Sequence, residues 1–494
     1  MSFLKRFTNA FIWNHLNKIS GYLLDFALSI VLARGLGDYY YGIYSEFVTF
    51  VFLFSMICSI GLDTALNAFI PRFNDQPGLV SGMLRRSLVI LSISSSTVAA
   101  IVIFAGGVIT RLINSPELNS MLTIAAFYIV LHNFLIVARM IIVSFYATRF
   151  LFFMNGLLKG LLIIASYIII KMNGNIRDVI SGFTIISFFV SIAFFLGFLK
   201  YLKPPVQETN WGEFLKFSVT AWFNKIINYV LGRYFDIFIL GFFSVSKEKI
   251  GYYNIAFSIA MALFLFISSG FDGISLAAFS DFENKQQRDK IARGWLTIAK
   301  VCIIFGFPGF LYVIRYAKII ITTIYSTAFI ESATLFQVFA GFYLLAIILG
   351  NGMNLTVIYA LKKANLALKL RLIGGAINIA LDILLVPKYQ ALGAIIATGI
   401  SIVGIVALEH AFVRKYISFR YPLVFLTKIV LATLVALGTT SLFEISNALL
   451  LVLNIALFIF VFILSIYIFK PLSDQDKEMI RTINAPLGQL LKHF

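Results

Sequence analysis

Seven residues that can carry charge stand inside apolar stretches of about 20 residues, the length that crosses a bilayer: Asp25, His132, Arg139, Lys159, Arg233, Asp236 and Asp382. A charge at the bilayer centre costs about 2.5–3.5 kcal/mol on insertion scales, so each must face water, meet a partner or sit at a span end. Sign sorts the chemistry. Arg139 and Lys159 can line a cavity and attract an anionic group, because a cation beside it lowers the cost of carrying it through a low-dielectric interior. Asp25 and Asp382 can bind a proton or a sodium ion. His132 precedes Arg139 by seven residues, which puts both on one helical face, and a lone intramembrane histidine can relay protons. Arg233 and Asp236 lie three apart on one face and can neutralise each other, a structural role that competes with a binding one.

Membrane-spanning helices must position these groups. The chain has 494 residues, 60% hydrophobic and 13% charged, too little polar surface to enclose a water-soluble core. It reads as an all-α integral membrane protein. Apolar stretches give about 14 spans, near 12–33, 43–66, 87–110, 120–144, 150–171, 178–199, 214–241, 250–271, 294–314, 330–352, 364–386, 391–413, 421–441 and 447–469. The net charge of +18 invites a nucleic-acid reading, but the basic residues concentrate in loops on one side. These are Arg85-Arg86, the run 281–293, Lys362-Lys363, Arg414-Lys415 and the tail after Lys470. That asymmetry puts both termini in the cytoplasm; the basic segments read as solvated loops that fix topology, with anionic membrane lipids as the competing role and no nucleic acid as partner. Cys58 and Cys302 lie in apolar runs and His15, His132, His410 and His493 show no ligand spacing, so no disulfide, metal site or cofactor is expected. Residues 1–7 lack the short apolar region and cleavage site of a signal peptide.

The chain is also written twice. Asn17-Lys18-Ile19, Gly42-Ile43-Tyr44, Gly61-Leu62-Asp63 and Tyr146-Ala147-Thr148-Arg149 recur in order as Asn224-Lys225-Ile226, Gly251-Tyr252-Tyr253, Gly270-Phe271-Asp272 and Tyr359-Ala360-Leu361-Lys362. Each copy holds six spans, an even number, so the second re-enters the membrane in the orientation of the first, the parallel kind of repeat. This predicts an N-lobe at 1–206, a C-lobe at 207–416, a peripheral pair of helices at 417–470 and a cytoplasmic tail at 471–494. Matched residues lean structural. Asp63 and Asp272 fit helix-end capping or lobe packing, with gating or ion coupling as the competing role. Lys225, matched by Lys18, enters the seventh span and can snorkel to the interface or join a cationic cavity. Arg139, Lys159 and Asp25 face uncharged counterparts in the other copy, near Asn354, Gly374 and Gly232, which makes them the sharper binding candidates.

Short outward connections, as at 34–42 and 171–178, argue against a membrane glycosyltransferase, polymerase or ligase, and no G-x-x-x-x-G-K-[ST] run supports ATP-driven work. A secondary transporter rather than an enzyme fits best. Three segments then carry a resemblance: Leu32-Ala33-Arg34-Gly35-Leu36-Gly37-Asp38-Tyr39-Tyr40-Tyr41-Gly42-Ile43-Tyr44; Arg233-Tyr234-Phe235-Asp236-Ile237-Phe238-Ile239-Leu240-Gly241 with Ile250-Gly251-Tyr252-Tyr253; and Asn378 and Asp382 with Val386-Pro387-Lys388-Tyr389-Gln390-Ala391-Leu392-Gly393-Ala394, then Ala397-Thr398. In order, over roughly the first 415 residues, they resemble the polysaccharide-repeat-unit (O-antigen, Wzx-type) flippases of the multidrug, oligosaccharidyl-lipid and polysaccharide exporter superfamily. The resemblance implies a MATE/MOP-like fold in a bacterial inner membrane. It also implies an undecaprenyl-diphosphate-linked oligosaccharide as cargo, moved to the periplasmic leaflet by alternating access and an H+ or Na+ gradient, and a glycan polymerase and chain-length regulator as partners. A multidrug exporter, a lipid II flippase and a non-transporting assembly partner of a polymerase stay open as alternatives.

Overall fold

The computed structural model describes residues 3–73, 75–199, 202, 211–268, 272–474 and 476–477, with side chains described except at 3–11, 265–268, 272–274 and 277. Among the described residues no strand occurs. The helices are α1 Phe3–Ser59, α2 Leu62–Phe69, α3 Pro77–Leu112, α4 Leu122–Ser144, α5 Thr148–Lys171, α6 Ile176–Leu199, α7 Trp211–Val230, α8 Arg233–Phe242, α9 Lys247–Ser268, α10 Asp272–Asn284, α11 Arg288–Ile324, α12 Ser332–Ile348, α13 Met353–Ala360, α14 Ala364–Tyr416, α15 Leu423–Thr440 and α16 Ala448–Phe469. Among the described residues ten helical stretches are long and apolar enough to cross a membrane, and the protein is a multi-pass membrane protein.

Two of those ten each contain a pair of expected spans. α1 runs helically through the connection expected at 34–42 and departs from helical geometry at Gly37, whose φ of 80 is open to glycine without steric cost. α14 likewise continues across the expected junction of the eleventh and twelfth spans, turning at Gln390 (φ 52), three residues after Pro387. Continuing the helix satisfies backbone groups internally where no water is available, and Pro387 removes one helical donor just before the turn. The seventh expected span is instead broken. α7 ends at Val230, Gly232 is extended, and α8 restarts at Arg233. Arg85-Arg86, expected in a polar connection, lie inside α3, which starts ten residues earlier than its apolar core because Pro77 occupies its first turn.

The chain forms two compact units, Met1–Asn254 and Ile255–Phe494. This division falls within α9 and follows packing, whereas the boundary at 206 follows the duplication. In the first unit, a core of Phe47, Phe50, Val51, Phe54, Val102, Ala125 and Ile129 joins the second arm of α1 to α3 and α4. In the second, α15 and α16 dock on α11 through Tyr316 to Thr440 (3.2 Å) and Tyr312 to Asn454 (2.8 Å). After α16, Ser473 and Asp476 form a reciprocal cap (2.7–3.3 Å) and Asp476 accepts Lys300 from α11 at 2.7 Å.

Candidate functional site

The first unit holds most of the candidates. Lys159, in the middle of α5, donates to Asp25 Oδ2 at 2.7 Å and to the Gly21 carbonyl at 2.9 Å, both on the first arm of α1. Two residues chosen separately from the sequence thus form one ion pair. It is asymmetric: the Lys159 side chain is 20% exposed and that of Asp25 is 60% exposed. Arg139, on α4, is treated differently. Its Nε–H is buried and finds no acceptor among the described residues, and no carboxylate of those residues pairs with it. His132, one face up the same helix, stacks on Tyr128 with ring centroids 6.0 Å apart.

The broken seventh span positions a second cluster. Arg233 opens α8, lies over the Tyr234 ring at 4.7 Å and donates to the Tyr234 hydroxyl at 2.9 Å. Tyr234 in turn stacks on Phe52 of α1 at 4.2 Å. Asp236, fully buried in the first turn of α8, accepts the Tyr253 hydroxyl of α9. Beyond the pairing that their three-residue spacing allows, each charge meets a tyrosine hydroxyl, Arg233 that of the adjacent Tyr234 and Asp236 that of Tyr253 on α9. Beside them Asn254 donates to Ser45 at 2.8 Å and to the Tyr41 hydroxyl at 3.4 Å. A discontinuous span with charged residues at its restart is how transporters commonly build midplane sites, since free backbone groups and a helix N-terminus become available there.

Ion pairs close each end of this unit. About 22 residues separate the Gly37 kink from Ser59, so the second arm of α1 is about 33 Å long and places the two pairs on opposite sides. Near the kink, Lys247 Nζ sits 2.7 Å from Glu46 Oε2 and donates to Ser115 Oγ at 2.8 Å and the Asn114 carbonyl at 3.1 Å. Ser115 also donates to Glu46 at 2.7 Å, and Tyr252 donates to Asp38 at 2.7 Å. The repeated glycines Gly42 and Gly251 make this possible: a Cβ on Gly42 would strike the Lys247 carbonyl, and one on Gly251 would lie 3.0 Å from the Asp38 carbonyl. At the far end Lys225 contacts both Asp63 oxygens at 2.5 Å. Gly61 before it has φ 73, and α7 backbone from Ser218 packs where its Cβ would be.

Of the two structural roles open to Asp63, capping and packing, its contacts match packing. No side chain caps α2 at Gly61, and the Asp63 carboxylate is taken by Lys225, so the acid links α2 to α7 rather than capping a helix. The side chain of Asp272 lies outside the described residues. In the second unit Asp382 is fully buried on α14 and accepts Asn378 at 2.9 Å. Sequence reasoning passed over Glu46, Lys247, Ser115 and Glu409. Glu46 and Glu409 carried the same signal as the chosen residues, an acid inside an expected span, and both are 3% exposed.

The fold has solved relatives. It matches the lipid II flippase MurJ in an inward closed conformation with a TM-score of 0.72 and 19% identity, over 93% of this chain and 98% of that one. An inward-facing multidrug resistance MATE family transporter of the MOP superfamily matches with a TM-score of 0.66 and 14% identity, over 81% and 94%. A MOP superfamily transporter from Pyrococcus furiosus, described by a reversed polarity of its binding pocket, matches at 0.57 and 14%, over 83% and 95%. No curated protein matches the chain. These likenesses show that the chain has the fold of these transporters, the one the resemblance implied. The family model described as "Polysaccharide biosynthesis protein" matches residues 31–334, well over half of the sequence, and the chain belongs to that family.

Proposed function

We propose that this protein is a flippase for a lipid-linked oligosaccharide, moving a polyprenyl-diphosphate-linked repeat unit such as an O-antigen unit from the cytoplasmic to the outer leaflet of a bacterial inner membrane. The observation that carries this reading is Arg139, a guanidinium inside an apolar span whose Nε meets no partner among the described residues. A diphosphate would supply the missing acceptor, and a charge-assisted bond in a low-dielectric site offsets the desolvation of both groups. Lys159 adds a second cation, paired with Asp25, and Arg233 a third, lying over the Tyr234 ring.

In this mechanism the protein does no covalent chemistry. The lobes at 1–206 and 207–416 alternate access, with Lys225–Asp63 and Lys247–Glu46 as the pairs that form and break, both termini cytoplasmic. Asp25, His132, Asp236 and Asp382 are the groups through which an H+ or Na+ gradient is coupled, with Asp272 as the repeat partner of Asp63. A glycan polymerase and a chain-length regulator would receive the translocated unit.

The likeness to the lipid II flippase over nearly its whole length supports a second reading, in which the glycan is the peptidoglycan precursor. A liposome assay separates the two. The purified protein is expected to flip a fluorescent polyprenyl-diphosphate oligosaccharide, and the Arg139→Gln/Lys159→Gln variant to lose about 100-fold of that rate, as for removal of two charged contacts. Flipping of lipid II alone selects the second reading, export of organic cations without lipid movement selects a multidrug exporter, and an unaffected double variant removes the assigned roles.

A further inference from the structure

The link between α14 and α15 is extended, and its side chains alternate. Ile417, Phe419 and Tyr421 turn inward. Ile417 is 1% exposed, Phe419 stacks on Trp295 of α11 at 4.4 Å, and the Tyr421 hydroxyl donates to the Ile348 carbonyl at 2.7 Å. Burial pushes the Tyr421 phenol up to about 12, which keeps it a neutral donor. Three aromatic or aliphatic anchors therefore fix a six-residue loop. The alternate positions, Ser418 and Arg420, are left exposed on the other face, together with Arg414 in the last turn of α14. Ile417, Phe419 and these three polar residues line a cavity of about 380 Å³.

No carboxylate lines this cavity, and among the described residues neither Arg414 nor Arg420 is paired with one. After Tyr421 and Pro422, Leu423 and Val424 are 67% and 73% exposed and begin a helix long and apolar enough to cross a membrane. Arg420 and Ser418 thus precede the first of these exposed apolar side chains by only three and five residues, with Arg414 beside them on the cavity wall. Lys363, on the preceding connection, lies over the Tyr416 ring at 5.3 Å and adds a third positive charge at the same level. A basic pocket at a span end, rimmed by apolar residues, has the chemistry of a phosphate site at the membrane surface.

We propose that Arg414, Ser418 and Arg420 form a binding site for the phosphodiester of an anionic lipid headgroup, separate from the intramembrane charges. The guanidiniums bracket the phosphate, Ser418 donates to a third oxygen, and Leu423 and Val424 lie against the acyl chains. This site stands independently of the flippase reading.

Native mass spectrometry of the full chain, released from mixed micelles, tests it by retained lipid. The wild type is expected to retain phosphatidylglycerol over phosphatidylcholine, and Arg414→Gln/Arg420→Gln to lower that retention roughly 30-fold, about fivefold per guanidinium. Lys285→Gln/Lys290→Gln removes the same charge elsewhere and is expected to leave retention unchanged. Arg414→Lys/Arg420→Lys keeps the charge and should keep most of the binding. An equal loss in the Lys285/Lys290 variant, equal retention of both lipids, or displacement of phosphatidylglycerol by millimolar inorganic pyrophosphate overturns the proposal, the last in favour of a soluble phosphate. Unchanged thermal midpoints, expected for exposed residues, separate lost binding from lost folding.

Discussion

The two ends of the first unit are closed by the same chemistry at different depths. Near the Gly37 kink, Lys247 and Glu46 are 8% and 3% exposed, and Ser115 and the Asn114 carbonyl take up further donors and acceptors. At the other end, Lys225 is 32% exposed and only Asp63 is buried. Burial changes what an ion pair does. A deep, hydrogen-bonded pair is costly to break because each charge is stranded, whereas a half-exposed lysine can be rehydrated. The Lys247–Glu46 pair is therefore the costlier of the two to break.

The strongest challenge to this contrast is Lys247→Met, which strands Glu46 beside Ser115. It should cost about 3–5 kcal/mol of stability, read as a drop in the thermal midpoint of the detergent-solubilised protein. A change no larger than that of Asp63→Asn would erase the distinction between the ends. Gly42→Ala tests the close approach directly: the new methyl must displace the Lys247 backbone, at about 1–3 kcal/mol, with cysteine labelling near the kink rising as the clasp loosens. Asp63→Asn should cost about 1–2 kcal/mol, since Lys225 regains water, and should increase labelling at the Asp63 end only.

The smallest effect extends the comparison to the second unit, where Lys300 meets Asp476 at 2.7 Å. Burial works against the Asp476 carboxylate, but hydrogen bonds from Lys300 and Ser473 outweigh it and hold its pKa below the ordinary 3.8. A carboxyl depressed in the folded state contributes stability above its unfolded pKa and loses it as pH falls through the folded one. Melting temperature should therefore decline below about pH 3.8 with a component absent in Asp476→Asn. An identical acid profile in the variant would show that this pair adds nothing at the helix end.

Much of this could be read from residue order. The approximate positions of the spans follow from runs of apolar residues, because backbone conformation answers to near neighbours, whereas the break at Gly232 inside the seventh expected span and the helical passage through 34–42 and 386–391 were not read from them. The repeat pointed to Gly42, Gly61 and Gly251 as scaffold, and their backbones are indeed closely approached. Asp25 and Lys159 were each suspected, but not as partners, since 134 residues lie between them. Glu46 went unnoticed because an acid in the middle of a span looks the same whether it will meet a lysine or an empty space.

What residue order determined by itself is an all-α membrane protein and the polysaccharide family, both of which rest on local hydrophobicity and on short motifs. Only the tertiary structure decided which charges are spent on each other and which are left over: Lys247 on Glu46 across 201 residues, Lys225 on Asp63 across 162, Arg139 with its Nε unsatisfied. Pairing depends on how each helix is rotated about its axis and on which helix lies beside it. Those are long-range properties of packing, and no local pattern encodes them.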